Sequence, residues 1–325
     1  MDTLPGQEII DQIAAVNFLQ SEVWGKLRGI LWDEKVEWWT YHPLLSWTTS
    51  DVLLIEHNWS KFALKISQKK SLEADTKKEQ WMIQQWADLP KILWSGVGRI
   101  PTIEGVYYWT IQEYIWGEVW WGGRPLNDAQ IDSYVGQLRA LHNIHQPWES
   151  NTWGPITEER IWSLPDFTSY LESFDKKINT CDFFDQKNRR ARIQQILGTL
   201  KAKIWNQNTL VPCLIHHDAH PENVKLDTEN SCRILDYWSA GWSCPEEELA
   251  IIKFHSMPWA RKEIPAETFD RIKAKYIEKN PGFNEDLFEM FFLLNSCVKI
   301  VARKDDSKKK RIWDQLVEPL LQKAQ

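Results

Sequence analysis

Between two short apolar runs, VPCLI and RILDYW, lies His216-His217-Asp218-Ala219-His220-Pro221-Glu222-Asn223, and Asp236 follows 13 residues after Asn223. A carboxylate, an amide five residues on and a second carboxylate at the end of a strand-like run combine two abilities. They can accept a hydroxyl proton, and they can offer oxygens to a hard cation such as Mg²⁺. Phosphoryl transfer asks for that set: one carboxylate aimed at an acceptor hydroxyl, and oxygens that hold Mg²⁺ on the β- and γ-phosphates. Upstream, Lys65 ends the strand-like FALKI, and Glu79 stands 14 residues later where a helical pattern turns apolar. That spacing suits a lysine held on the α- and β-phosphates by a helix glutamate. The dense cluster of His216, His217, Asp218 and His220 also admits a metal hydrolase, which would leave Lys65, Glu79, Asn223 and Asp236 without roles.

The elements that must position these residues read as a small sheet followed by many helices. DVLLIE and KFALKI flank a break at HNWS and form a hairpin by their β-branched and aromatic content. Residues 73–89 follow as a helix, with Trp81, Met82, Ile83 and Trp86 near helical spacing and Pro90 as its stop. Residues 91–93 and 107–115 are strand-like, separated by the turn-rich SGVGRIPTIEG, and WGEVWWGGRP has linker composition. Asn127 then caps a helix with Ile131, Val135, Leu138, Leu141 and Ile144 at three- and four-residue steps. Further helices are expected over 1–32 and near 165–178, 188–206, 246–257, 266–278, 284–302 and 310–324. The result is an α+β chain: residues 1–115 as a small lobe of antiparallel sheet plus helix, 116–126 as hinge or linker, and 127–325 as a larger, mostly helical lobe.

At 325 residues the chain suits two cores rather than one. With 43% hydrophobic and 26% charged residues, and no apolar run of about 18 residues, its composition is globular and not membrane-spanning. A net charge of −6 with dispersed basic residues argues against a duplex-binding surface, and Lys308, Lys309, Lys310 and Arg311 read as a solvated helix face. The N-terminal residues lack the basic and apolar regions of a secretory signal. Cys181, Cys213, Cys232, Cys244 and Cys297 match neither a disulfide framework nor a CxxC metal site. Both features point to a cytoplasmic protein with reduced thiols.

With its HxDxxxxN loop and a following apolar strand that ends in Asp, the chain resembles the aminoglycoside phosphotransferase and choline kinase-like family, whose loop is of the HGDxHxxN type. The resemblance implies a two-lobed protein-kinase-like fold. It also implies Mg²⁺- and ATP-dependent phosphorylation of a small-molecule hydroxyl, with no nucleic acid or membrane partner. Carried over, Asp218 is the base, Asn223 and Asp236 hold Mg²⁺, and His216 and His220 support the loop. Lys65 and Glu79 become the phosphate-binding lysine and its partner. Residues 110–115 become the hinge, with backbone groups around Glu113 and Ile115 toward adenine, and SWTTS, ending in Ser50, becomes a phosphate-covering turn. His142 closes an LxxLH run and is a packed residue. Glu246, Glu247 and Glu248 either draw a cationic, aminoglycoside- or choline-like acceptor or form a solvated acidic helix start. Phe254, Trp259, Phe291 and Phe292 either line a pocket or pack in a core.

The chain departs from the family where small residues are usual. His217 replaces the glycine after the first histidine, and Trp238 replaces a small residue beside Asp236. Trp47 sits in the phosphate-covering turn, and Trp59 follows Asn58 as the glycine of an Asn-Gly turn would. Tryptophan adopts positive φ poorly. Trp occurs 21 times and Gly 14 times, and the Gly share is about 4% against a usual ~7%. Excess and deficit share locations, which predicts UGA codons meaning Gly at 47, 59 and 238, with Trp94 and Trp116 next. Sequencing the source DNA checks this, and UGG at all three positions contradicts it. With Trp retained there, the resemblance also admits a kinase-shaped protein that binds nucleotide without turnover.

Overall fold

The computed structural model describes residues 40–44, 51–57, 60–67, 71–85, 89–98, 106–120, 122–145, 154–155, 166–205, 210–228, 230–257 and 263–323. The chain divides into two compact units, Met1–Gln84 with Leu89–Ile115, and Gln85–Asp88 with Trp116–Gln325. The expected 1–32 helix, the SWTTS turn and the turn at Asn58 and Trp59 lie outside the described residues.

The first unit contains β1 (Thr40–Leu44), β2 (Asp51–His57), β3 (Ser60–Ser67), α1 (Ser71–Gln84), β4 (Ile92–Gly98) and β5 (Tyr107–Glu113). Its strands form one antiparallel sheet in the order β1-β2-β3-β5-β4. Side chains alternate between faces in a strand, so register decides which residues can meet. Leu64 lies beside Ile111 and Ile66 beside Trp109 on one face, all buried, while Lys65 lies beside Thr110 and Ala63 beside Gln112 on the other. Helix α1 packs along β4 and β5. Strand β4 is longer than its sequence indicates, because the SGVG stretch expected as a turn is strand. The Trp109 indole lies across Gly96, where a Cβ would come within 2.4 Å of the ring. The glycine that looks like a turn signal is what lets an indole pack flat on the strand.

The second unit begins with β6 (Glu118–Val119), α2 (Asp128–His142), β7 (Gly154–Pro155), α3 (Phe167–Asn179), α4 (Arg189–Trp205) and β8 (Cys213–Ile215). It continues with β9 (Val224–Leu226), β10 (Cys232–Ile234), β11 (Gly241–Ser243), α5 (Pro245–His255), α6 (Ala266–Lys279) and α7 (Glu285–Val301). It closes with α8 (Asp306–Ile312) and α9 (Glu318–Lys323), joined by a π-helical turn over Trp313–Val317. Two small sheets, β10-β9-β6 and β7-β11-β8, sit among the helices. Gly117 has φ 121°, and a Cβ there would meet the Leu226 carbonyl oxygen at 2.5 Å, so glycine is required where the chain enters β6 and pairs with β9.

Helix α2 starts with a capping box. The Asn127 side chain accepts from the Gln130 amide at 2.9 Å, and the Gln130 side chain accepts from the Asn127 amide at 3.1 Å. Its Ile131, Tyr134, Val135, Leu138 and Leu141 are buried. Helix α7 is apolar nearly all round because α3, α4 and α5 pack against it. Phe254, Phe291 and Phe292 therefore belong to the core rather than to a pocket, and Trp259 lies outside the described residues. On α8, Lys309 pairs with Asp306 at 2.9 Å and Lys310 with Asp314 across a solvated face. All five cysteines are free, and four of them are buried. Among the described residues no helix is long and apolar enough to cross a membrane.

Candidate active site

Strand β8 delivers the chain into residues 216–220 and a single 3-10 turn, Pro221–Asn223, before β9. Proline suits the first position of such a turn because no amide donor is needed there. The loop is knit by main-chain bonds, the His220 amide to the Asp218 carbonyl at 2.8 Å and the Asn223 amide to the His220 carbonyl at 2.9 Å. From α2, the Tyr134 hydroxyl donates to the Ala219 carbonyl at 2.6 Å.

His216 is buried between two main-chain groups that fix its tautomer. Its Nε2 is 2.9 Å from the Leu235 carbonyl, which only accepts, so Nε2 carries the proton. Its Nδ1 accepts from the Asp218 amide at 3.2 Å. The neutral ring thus ties the loop to the residue preceding Asp236. Burial pulls the His216 pKa below its ordinary value, against the fields of Glu248, Asp218 and Asp236. A depressed folded pKa means that this contribution is complete above about pH 6.5 and is lost as pH falls further. His216→Asn is expected to be less stable than wild type at pH 7.5 and to lose less stability between pH 7 and 5.5. Denaturant titrations at each pH check this, and parallel losses in the two proteins contradict it.

Asp218 sits beyond this brace with its side chain 27% exposed. Its Oδ2 is 3.4 Å from Nε2 of the buried His220 and 3.4 Å from Nδ2 of Asn223, which also donates to the Asp218 carbonyl at 2.9 Å. With its amide nitrogen engaged in this way, Asn223 leaves its Oδ1 buried and, among the described residues, without a hydrogen-bond donor. Such an oxygen costs on the order of 1–3 kcal/mol when nothing satisfies it. A hard divalent cation would satisfy it, and an amide oxygen near carboxylates is a donor set for Mg²⁺-like rather than thiophilic ions. Asp236, just past β10, is half-buried in the left-handed region at φ 66°. The Leu235 amide donates to the Asn223 carbonyl at 2.7 Å, so one main-chain bond links the two candidate ligand positions.

The histidines do not converge on a common point. His216 reaches the Leu235 carbonyl, His217 the Ser239 carbonyl, and His220 lies beside Asp218 and the His255 ring. Among the described residues no three His, Cys, Asp or Glu side chains are grouped to hold an ion. A zinc-type hydrolase site built on the HHDxH cluster therefore lacks its ligand set.

The three glutamates that open α5 are neither solvated nor a surface for a cationic acceptor: all are buried. Oε2 of Glu248 accepts from the His216 amide and, at 3.2 Å, from the His217 amide, and lies 4.0 Å from Nε2 of His142. Burial would raise the Glu248 pKa, but the neighbouring His142 ring and the fields of His216 and His217 outweigh it and hold it low. Glu247 accepts from the Tyr170 hydroxyl at 2.9 Å and from Ser243, and Glu246 accepts from the Asn284 amide at 2.8 Å. Burial raises both of their pKa values. His142 is packed, its Nδ1 2.7 Å from the Tyr276 hydroxyl.

In the first unit, Nζ of Lys65 lies 3.4 Å from Oε1 of Glu79, both largely buried. The other Glu79 oxygen accepts from Gln112, and the Thr76 and Thr110 hydroxyls are 2.6 Å apart. Thr110 and Gln112, expected within the hinge segment 110–115, lie instead in β5, where they face Thr76 and Glu79 of α1. The Glu113 amide donates to the Lys91 carbonyl at 2.8 Å, and Ile115 follows just beyond β5. Ser50, Trp47 and Trp59 lie outside the described residues. Trp238 is 46% exposed, and the nearby left-handed residues are His217 and Asp236 rather than Trp238.

This fold, in the described residues a small antiparallel sheet with one helix and a larger helical unit, is of the α+β, protein-kinase-like class. The chain belongs to the APH phosphotransferase enzyme family, whose family model matches residues 40–282. No curated protein matches it by sequence. Among solved structures it is similar to aminoglycoside phosphotransferase APH(4)-Ia, with a TM-score of 0.65 and 13% identity over 96% of this chain and 97% of that one. A thermostable mutant of that enzyme, in ternary complex with AMP-PNP and hygromycin B, gives 0.60 and 14% over 90% and 94%. A putative fructosamine-3-kinase from Haemophilus somnus 129PT gives 0.53 and 16% over 88% and 92%. At these identities the likeness is one of fold.

Proposed function

We propose that the chain is a small-molecule kinase that transfers the γ-phosphate of ATP to an acceptor hydroxyl, with Asp218 as base. The observation that carries this reading is Asn223: its amide nitrogen is fixed on Asp218, and its oxygen is buried with no donor among the described residues. A partly exposed carboxylate is thereby set beside an oxygen that calls for a cation, the pairing on which phosphoryl transfer relies. Asn223 and Asp236 would hold Mg²⁺, which when bound neutralises charge on the phosphates. Asp218 orients the acceptor hydroxyl and takes its proton as the new O–P bond forms and the bond from the γ-phosphorus to the β–γ bridging oxygen breaks, with ADP as the leaving group. His216 and His220 keep Asp218 in place. The use of a triphosphate nucleotide is supported by the fold relative crystallised with AMP-PNP.

Lys65, held by Glu79, would bind the α- and β-phosphates, with Ser50 in the turn that covers them. The Glu113 amide is engaged in the sheet, so adenine would meet the Glu113 carbonyl and the Ile115 backbone. The burial of Glu246, Glu247 and Glu248 removes the sequence argument for a cationic acceptor and leaves the acceptor class as a small hydroxyl compound. Acceptor-dependent release of ADP across aminoglycosides, choline, ethanolamine, amino alcohols and sugars tests the reading. Release with one class supports it, and ATP binding without release for any class favours a non-catalytic nucleotide-binding protein.

Lys65→Ala is expected to lower kcat/KM for ATP by roughly 10- to 150-fold, the equivalent of a charged hydrogen bond worth about 1.5–3 kcal/mol. Initial rates against ATP concentration measure it. An unchanged kcat/KM would remove Lys65 from the nucleotide site.

A further inference from the structure

The roles assigned to His216 and Asp218 leave the residue between them unexplained. His217 stands where the family has glycine, and its backbone is left-handed at φ 63°, a conformation that a side chain makes costly. The side chain has a polar neighbour on two sides. Its Nδ1 is 3.1 Å from the Ser239 carbonyl, which only accepts, so Nδ1 carries a proton. Its Nε2 lies 4.0 Å from Oε2 of Glu247, beyond hydrogen-bond reach, and that buried carboxylate accepts instead from Tyr170 on α3 and Ser243 on β11. Ser239 closes the one-turn 3-10 helix that starts immediately after Asp236. A single imidazole therefore spans from the loop of Asp218 to the turn of Asp236, backed by α3 and α5. Glycine would take the same backbone turn without strain and supply none of these contacts.

We propose that His217 is a positioning residue, which through its bond to the Ser239 carbonyl fixes the Asp218 loop against the Asp236 turn. The proposal rests on the kinase reading for the role of Asp218, whereas the tether itself does not depend on it. Nitrogen-15 NMR of the His217 ring in the full chain, assigned by its absence in His217→Gly, reads the tautomer without substrate. The tether requires a proton on Nδ1 at neutral pH, and a ring protonated on Nε2 alone overturns it.

Kinetics on a phosphorylated acceptor then reads the positioning role. His217→Gly suits φ 63° and is expected to keep a cooperative unfolding transition and an ATP KM within about threefold of wild type, while kcat falls about 10- to 100-fold. His217→Asn tolerates the left-handed backbone and places an N–H on Cγ as imidazole does, so it is expected to recover most of that loss. A Gly variant with wild-type kcat overturns the positioning role, and an Asn variant as slow as Gly overturns the Ser239 bond as its cause. A wild-type protein that transfers no phosphate overturns the kinase reading and the positioning role with it, and the ring tautomer then still decides the tether.

Discussion

Replacing Asp218 with Asn is expected to lower kcat by about 10²- to 10⁴-fold, the range by which a positioned general base accelerates proton transfer. Binding of Mg²⁺·ATP should change little. The reason lies in how the loop is held. His216 accepts from the Asp218 main-chain amide, Asn223 donates to the Asp218 carbonyl, and Tyr134 holds the Ala219 carbonyl. Glu248 receives the His216 and His217 amides. All of these bonds use main-chain atoms of the loop, so the loop keeps its frame when the carboxylate becomes an amide. What disappears is a group able to take a proton. Parallel measurement of kcat and of nucleotide affinity by calorimetry separates the outcomes. A loss of affinity as large as the loss of rate would mean that the loop had come apart, and an unchanged rate would remove Asp218 as the base.

The largest effect on stability is expected at Glu248. Its carboxylate is fully buried, one oxygen serving two loop amides and lying 4.0 Å from His142. Glu248→Ala leaves those two amides buried without their acceptor and removes the carboxylate facing His142, a loss of about 3–5 kcal/mol. For a protein of this size that corresponds to a fall in Tm of roughly 4–8 °C. Glu248→Gln keeps one accepting oxygen and should cost less. The folded pKa of Glu248 is held below the ordinary carboxylate value, so its stabilisation is complete above about pH 4.3 and fades only as pH falls below that. Thermal unfolding of wild type and both variants at pH 7.5, 5.5 and 4 measures this. A Glu248→Ala difference under about 1 kcal/mol, at the level of an ordinary single hydrogen bond, would contradict it.

What the sequence shows and what it hides follow one physical line. Patterns that are local in the chain are legible: the β-branched and aromatic content of β2 and β3, the Asn127 cap, the apolar stripe of α2, and the short spacing from Asp218 to Asn223. Lys65 and Glu79 are also legible because they stand 14 residues apart on successive elements, β3 and α1, and meet at 3.4 Å. Groups that act across long separations are hidden. Glu248 meets His216 from 32 residues away, and Gln112 meets Glu79 from 33. A run of three glutamates after a proline looks solvated until α5 is seen to be buried on every side, when each acid must find a donor. Strand β9 is three residues long and shows no period, and β4 carries glycines because Trp109 lies across Gly96. The left-handed backbone of His217 has no signature in a histidine, and its meaning emerges only beside the Ser239 carbonyl.

The most direct test is transfer of labelled phosphate from Mg²⁺·ATP to the acceptor panel, run with wild type and Asp218→Asn side by side. The account predicts label on a hydroxyl compound with wild type and almost none with the variant, although both bind ATP. Equal transfer by the two proteins, or no ATP binding by either, would contradict it.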